Sequence, residues 1–528
     1  MRLWLTLSFI ALTFLVPGCG DDSAGTKTPA ATAKYEQVKA NADKAEAALD
    51  YEQAIKIYQE VLEGSSDVDK EYEAEYLNNL GMLYCQLTQY DKAELLYLRA
   101  LTIDEKSFGK DHPNVATRCN NLAELYRATN RLGGAEPLML RALAIDEKSF
   151  GKDHPNVAIR CDNLAELYCA TNRLGEAEQL MLRALAIDEK SFGKDHPNVA
   201  IRCNNLALLY RGTNRSNEAK PLSQRTLAIN EKNLGKDHPK VARDCLILAG
   251  YYSVFNPEAE RLTLRALDIY EKSLGKEHPM VAVSCNNLAG LYRATNRLGE
   301  AEPLMLRALA IDEKAFGKDH NNVAKDCYNL AKLYMTTNRL GQAEPLYRKA
   351  LAICEKEPSQ DHQNLATLLS NLALLYCEMD LYDKAEPLYL RVLAIDEKFF
   401  GKDHPKIAAD CNNLAELYMA TNRLSQAKPL VLRGLAINEQ YLRKDHPDVA
   451  RDCYNLALLY RETGRLDKAG PLYERAIEIY QKFKRSTGHF HPHWQNIVDS
   501  YGDYLLQTGL SEDQADAKLK EIAPELFQ

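Results

Sequence analysis

Apolar residues along this chain return on a helical beat. From Ala116 to Tyr126, the residues Cys119, Leu122, Ala123 and Tyr126 fall on one stripe at spacings of three and four, which predicts an amphipathic helix. A stretch of turn residues from Thr129 to Gly134 interrupts it. A second stripe runs from Ala135 to Phe150, with Ala135, Leu138, Met139, Ala142, Leu143 and Ile145 available for burial. Pro137 is expected in the opening turn of that second helix, where a missing N–H does least harm. Gly151 suits the left-handed residue that closes a helix, and Asp153, His154 and Pro155 restart the chain into the next unit.

The unit then recurs. Tyr126 has counterparts at Tyr84, Tyr168, Tyr210, Tyr252, Tyr292, Tyr334, Tyr376, Tyr418 and Tyr460, 42 residues apart except for one step of 40. Neither helix can bury its stripe alone, so the pair must close as a hairpin and each hairpin must cover its neighbour. Ten units are expected over 74–488. A degenerate hairpin over 35–73 precedes them and a degenerate capping hairpin over 489–528 follows, because the ends of a stack face water. The Tyr126 ring is expected between helices, its hydroxyl reaching backbone or solvent. The fifth unit is two residues short around Phe255, Asn256 and Pro257, which predicts a tighter turn there. Ala142 to Cys161 and Ala184 to Cys203 are identical, a sign of internal duplication.

Leu122, Ala123, Tyr126, Ala135 and Ala142 resemble the tetratricopeptide pattern. The 42-residue period, with Ile145 to Pro155 as its extra segment, is similar to the tetratricopeptide domain of kinesin light chains. That resemblance implies an all-α, tetratricopeptide-type α-solenoid, a right-handed superhelix of about a dozen helical hairpins. It also implies a concave groove lined by first helices. Matching asparagines in such domains bind the backbone of an extended peptide, since an amide donates and accepts together. Here they are Asn79, Asn121, Asn163, Asn205, Asn287, Asn329, Asn371, Asn413 and Asn455. Hydrogen bonds between neighbouring first helices are the alternative role for them. Arg127, Arg211, Arg293 and Arg461 add positive charge that favours carboxylate-bearing ligands. Leu246 and Ile247 break the asparagine series in the fifth unit.

The first nineteen residues stand apart. Arg2 precedes an apolar run from Leu3 to Val16, ending in Pro17, Gly18 and Cys19. This resembles a bacterial lipoprotein signal peptide over 1–19, with Cys19 as the lipidated residue and 20–34 as a flexible linker. Gly20 after the cysteine favours the outer membrane, on its periplasmic side, as the destination in the cell envelope. With a secretion signal where a heptad coiled coil would stand, a motor role is not expected.

Composition narrows the function further. The net charge of −8 has both signs interspersed without a basic run, so no nucleic acid partner is expected. Thirteen cysteines include a phased column of Cys119, Cys161, Cys203, Cys245, Cys285, Cys327, Cys411 and Cys453. Equivalent positions one repeat apart lie beyond the ~7 Å Cα limit for a bridge, so buried thiols are expected. Nine connector histidines, such as His112 and His154, read as helix starts rather than ligands. The cluster His489, His491 and His493 is a weak metal candidate, or one more connector displaced by a few residues. No phosphate loop, nucleophile elbow or zinc-protease motif is present, so no catalytic residue, cofactor or metal is expected. The reading is a non-enzymatic, lipid-anchored adaptor that binds protein segments in its groove. The alternative is a structural component of an envelope assembly, secretion or polysaccharide-export machine. A glycan-binding groove ranks last, because Tyr328 and Tyr454 are the exceptions among groove positions that otherwise offer mainly asparagine.

Overall fold

The computed structural model describes residues 29–48, 50–64, 72–356 and 362–522. The predicted signal segment and Cys19 lie outside the described residues. The fold is all-α: 24 helices in hairpin pairs, with no strand among the described residues. None of these helices is long and apolar enough to cross a membrane. Two units divide after Leu274.

In the first unit a hairpin of Pro29–Ala47 and Tyr51–Gly64 precedes five repeats. Their first helices are Glu73–Gln86, Pro113–Ala128, Pro155–Ala170, Pro197–Gly212 and Pro239–Ala249; their second helices are Tyr90–Phe108, Leu132–Phe150, Leu174–Phe192, Ser216–Leu234 and Pro257–Leu274. The leading helix starts at Pro29, inside the segment expected as linker. Proline at the first helical position followed by alanines is a good start, and Ala31 is buried.

In the second unit the first helices are Pro279–Ala294, Asn321–Thr336, His362–Glu378, Pro405–Ala420 and Pro447–Glu462. They pair with Leu298–Phe316, Leu340–Lys356, Tyr382–Phe400, Leu424–Tyr441 and Leu466–Thr487. A last hairpin, Trp494–Gln507 and Glu512–Ile522, closes this unit over a core of Tyr473, Tyr480, Trp494, Ile497 and Tyr501.

Local chemistry sets the boundaries. His154 is the N-cap of Pro155–Ala170, its Nδ1 accepting from the Asn156 N–H at 3.2 Å, with Pro155 at the first helical position. His112, His196, His238, His278, His320, His404 and His446 cap in the same way. Asn130 takes a φ of 59° in the turn between the helices, the left-handed conformation that asparagine tolerates best after glycine. Gly151 holds φ 89° and ψ 159°, a region essentially closed to other residues. The second helix opens at Leu132, earlier than its apolar stripe, so Pro137 sits in its second turn rather than the first. One backbone hydrogen bond near the helix start is forgone there.

The fifth repeat reverses an expectation. Its first helix stops at Ala249 after 11 residues instead of the usual 16, and the connection over 250–256 is longer, not tighter. Gly250 weakens the helix at that point. Asn256 fixes the next start by accepting from the Glu258 N–H at 2.9 Å. Tyr251 leaves the helix to donate to the Ala207 carbonyl at 3.2 Å, and Lys220 lies 3.8 Å over the Tyr252 ring. Val254 and Phe255 are left exposed.

Candidate peptide-binding face

Residues 117, 121, 124 and 128 share one side of their helix, because spacings of four, three and four bring side chains into line. Cys119, Leu122 and Ala123 are buried on the other side. The same alternation repeats along every regular first helix, so the predicted asparagines share this side of their helices, with Asn455 buried on it. Their use differs between units.

In the first unit the amides are engaged within the fold. Asn121 donates to Asn78 Oδ1 at 2.8 Å, Asn163 to Asn120 Oδ1 at 2.8 Å and Asn205 to Asp162 Oδ2 at 2.7 Å, each reaching the first helix of the preceding repeat. Asn79 donates to the Tyr58 hydroxyl at 3.4 Å. These bonds hold successive helices in register. In the second unit Asn371 donates to the Tyr328 hydroxyl at 3.3 Å and buried Asn455 to Glu416 at 3.1 Å. Asn286 and Asn412 turn their amides the opposite way, towards Asp326 and Asp452 of the following repeat. The side-chain amides of Asn287, Asn329 and Asn413 make no hydrogen bond among the described residues, and Asn287 is exposed.

The arginines divide similarly. Arg127 is held by Glu124 at 2.6 Å and by Glu166 at 3.4 Å. Burial pushes the Glu166 carboxyl up to about 8, against the pull of Arg127, and Asp162 and Glu124 add to the rise. Arg211 stands 5.8 Å from the Tyr251 ring centre. Arg461 meets the Ser500 carbonyl at 3.3 Å, Glu462 at 3.2 Å and Asp503 at 3.9 Å. Arg293 has neither of the carboxylates that hold Arg127: the equivalent positions are Gly290 and Lys332. Its Nη1 is buried without a hydrogen-bond partner. Lys325 and Lys332 are exposed and join no ion pair among the described residues. The aligned repeats carry this difference as the exchange of Glu124 and Glu166 for Gly290 and Lys332, a departure from the repeating columns rather than a part of them.

Other candidates resolve structurally. The cysteine column is fully buried, and burial pushes the thiols of Cys161, Cys203, Cys245, Cys327, Cys411 and Cys453 up to about 11. His491 stacks on Tyr480 at 4.4 Å, and its Nδ1 accepts from the His493 N–H at 3.3 Å, in the manner of the connector histidines. No group of three metal-ligating side chains occurs among the described residues.

Comparison with known proteins follows the same outline. A family model described as tetratricopeptide repeat matches residues 42–106, 72–148, 120–190, 159–232, 255–314, 286–356, 364–440 and 408–482. Among solved structures, a kinesin light chain of nearly identical TPR-like repeats from Podosopora anserina is 29% identical, over 39% of this chain and 98% of that one, with a TM-score of 0.36. BtubC (BKLC) from P. vanneervenii is 24% identical over 48% of this chain and 94% of that one, with a TM-score of 0.37. Apo RapI is 14% identical over 78% of this chain and 98% of that one, with a TM-score of 0.48. No curated protein matches.

Proposed function

The chain belongs to the tetratricopeptide repeat family, whose repeats serve protein–protein interaction, and from that premise we propose that it is a non-enzymatic scaffold binding extended, acidic peptide segments on the open face of its second unit. The observation that carries this reading is the contrast between Arg127 and Arg293. The first guanidinium is engaged by two glutamate side chains, Glu124 at 2.6 Å and Glu166 at 3.4 Å. The second has a glycine and a lysine in their place and a buried nitrogen without a partner. Lys325 and Lys332 add unpaired positive charge, and Asn287 and Asn329 keep amides that can replace a strand partner for a passing peptide bond. An arginine fork takes a carboxylate bidentately, and the flanking lysines steer it in. In the first unit the equivalent groups are already satisfied within the fold.

The same proposal places the chain outside the cytoplasm, tethered to an envelope membrane by a lipid on Cys19; loss of membrane association in Cys19→Ser is the check. For binding, acidic and neutral extended peptides are titrated against the full chain at two salt concentrations. Acidic peptides should bind and weaken with salt, and Arg293→Ala with Lys332→Ala should reduce affinity at least about tenfold, in line with loss of a charged bidentate contact. Arg127→Ala should leave it unchanged. Equal binding of neutral peptides, or equal loss in Arg127→Ala, sinks the reading.

A further inference from the structure

At seven places a buried polar contact links a second helix to the first helix of the next repeat, between two positions 14 residues apart. In the first unit the contact is charge-paired. Arg118 donates to Asp104 at 2.8 Å, Arg160 to Asp146 at 2.8 Å and Arg202 to Asp188 at 2.9 Å. The fourth instance keeps a donor without charge, Asn230 to Asp244 at 2.6 Å. In the second unit Asn438 donates to Asp452 at 2.7 Å. A hydrogen-bond donor faces a carboxylate in all five.

Two further instances in the second unit have no such donor. Asp312 of Leu298–Phe316 faces Asp326 of Asn321–Thr336, and Asp396 of Tyr382–Phe400 faces Asp410 of Pro405–Ala420, each pair within hydrogen-bond reach. All four are buried: Asp312 is 4% exposed, Asp326 2%, Asp396 1% and Asp410 6%. Two ionised carboxylates in contact away from water repel each other and lose their hydration, so one must take a proton and become the missing donor.

We propose that Asp312–Asp326 and Asp396–Asp410 are proton-operated joints, each closing on one shared proton, so that stacking within the second unit tightens in acid and loosens as the medium approaches neutrality. The surrounding groups set the strength of each joint. Asp326 also accepts from Asn286 Nδ2 at 2.6 Å on Pro279–Ala294. His320 in the connector and Lys325 act on the first pair only through space. The second pair has Lys406 Nζ 3.0 Å from Asp396, a cation beside the joint that the first pair lacks at that distance. Burial and the facing carboxyl raise both Asp326 and Asp410 to about 7. A carboxyl raised on folding stabilises fully below its unfolded value and loses that contribution as pH rises through the folded value. The loss therefore falls between about 4 and about 7, on the approach to neutrality.

The test is hydrogen exchange of the full chain, corrected for intrinsic rates, from about pH 5 to about pH 8. Amides of Asn321–Thr336 and Pro405–Ala420 should lose about tenfold or more in protection across that range, the loss levelling off near the value of about 7 for Asp326 and Asp410. Asp312→Asn with Asp396→Asn supplies the permanent donor found naturally at Asn438, so the levelling-off point should move down towards the value of about 6 that Asp452 has opposite that asparagine. An unchanged levelling-off point in the double variant, or a pH-independent wild type, overturns the proposal. Should the variant fail to fold, infrared spectroscopy of the native pairs decides. In a Glu166→Gln background, which removes the other carboxyl raised to about 8, a protonated-carboxyl C=O band present below neutrality must disappear on titration through it, and its absence at about pH 6 refutes the shared proton.

Discussion

Tyr210 donates its hydroxyl hydrogen to Glu178 at 2.9 Å, joining one hairpin to the hairpin before it. Arg215 grips the same carboxylate at 2.6 Å and lays its guanidinium 4.1 Å over the Tyr210 ring. Tyr334, Glu302 and Arg339 repeat the arrangement, as do Tyr418, Glu386 and Arg423. The hydroxyl expected to reach backbone or solvent instead ends on a carboxylate of the neighbouring repeat. The period of the tyrosines is thus the period of a staple between hairpins.

Tyr210→Phe should lower stability by about 1 kcal/mol, below the range of about 1.5–3 kcal/mol for a buried hydrogen bond to a charged group because Glu178 is partly exposed. The hydrogen bond from Arg215 holds the Glu178 carboxyl below its ordinary value. The staple is therefore present at neutral pH and is lost as pH falls below about 4. Urea titrations of both proteins at neutral and acidic pH should show a gap that closes in acid.

His154→Ala removes an N-cap acceptor and should cost about 1 kcal/mol, while His154→Asp, which offers a carboxylate to the same N–H groups, should recover most of it. Thermal denaturation of the three proteins distinguishes a capping histidine from a ligand. If Asp fails to rescue, the histidine acts through its stack on Phe150 at 4.6 Å instead.

Gly193→Ala should cost about 1–2 kcal/mol, because φ is 85° there and an L side chain is strained whatever space surrounds it. Gly175→Ala should be neutral or stabilising by roughly 0.5–1 kcal/mol, since Gly175 is inside a helix with open space around its Cα. Opposite signs in a denaturant midpoint measurement are the expected result.

The thiols of Cys161, Cys203 and Cys411 should resist iodoacetamide at about pH 8, because burial raises each to about 11 and closes access. Modification should become fast only in denaturant. Equal native and denatured rates would show that the repeat interfaces open freely.

Much of this protein was readable one residue at a time. Cys119, Leu122 and Ala123 had to face inwards because helical spacing places them together, and a 42-residue recurrence left no other way to bury them. The histidine–proline connectors marked helix starts by local chemistry alone. The fifth repeat was misread because a shorter sequence suggested a shorter turn, whereas Gly250, Tyr251 and Asn256 together end one helix early and delay the next. The candidate face was readable as a column of asparagines but not as a site. Asn121 and Asn287 are the same letter on the same face of the same helix, yet one side-chain amide is bonded to Asn78 and the other has no hydrogen bond among the described residues.

The sequence by itself therefore determined the hairpin, its period, its buried columns and its caps, because each depends on residues within a turn or two of one another. Tertiary structure decided which amides, arginines and carboxylates are satisfied. Arg127 depends on Glu166, Asn205 on Asp162 and Tyr210 on Glu178, partners that lie 32–43 residues away and meet only when hairpins stack. Hydrogen bonding and charge pairing act over a few ångströms of space, whatever the distance along the chain, so only the folded stack separates the residues that hold it together from those left open to a partner.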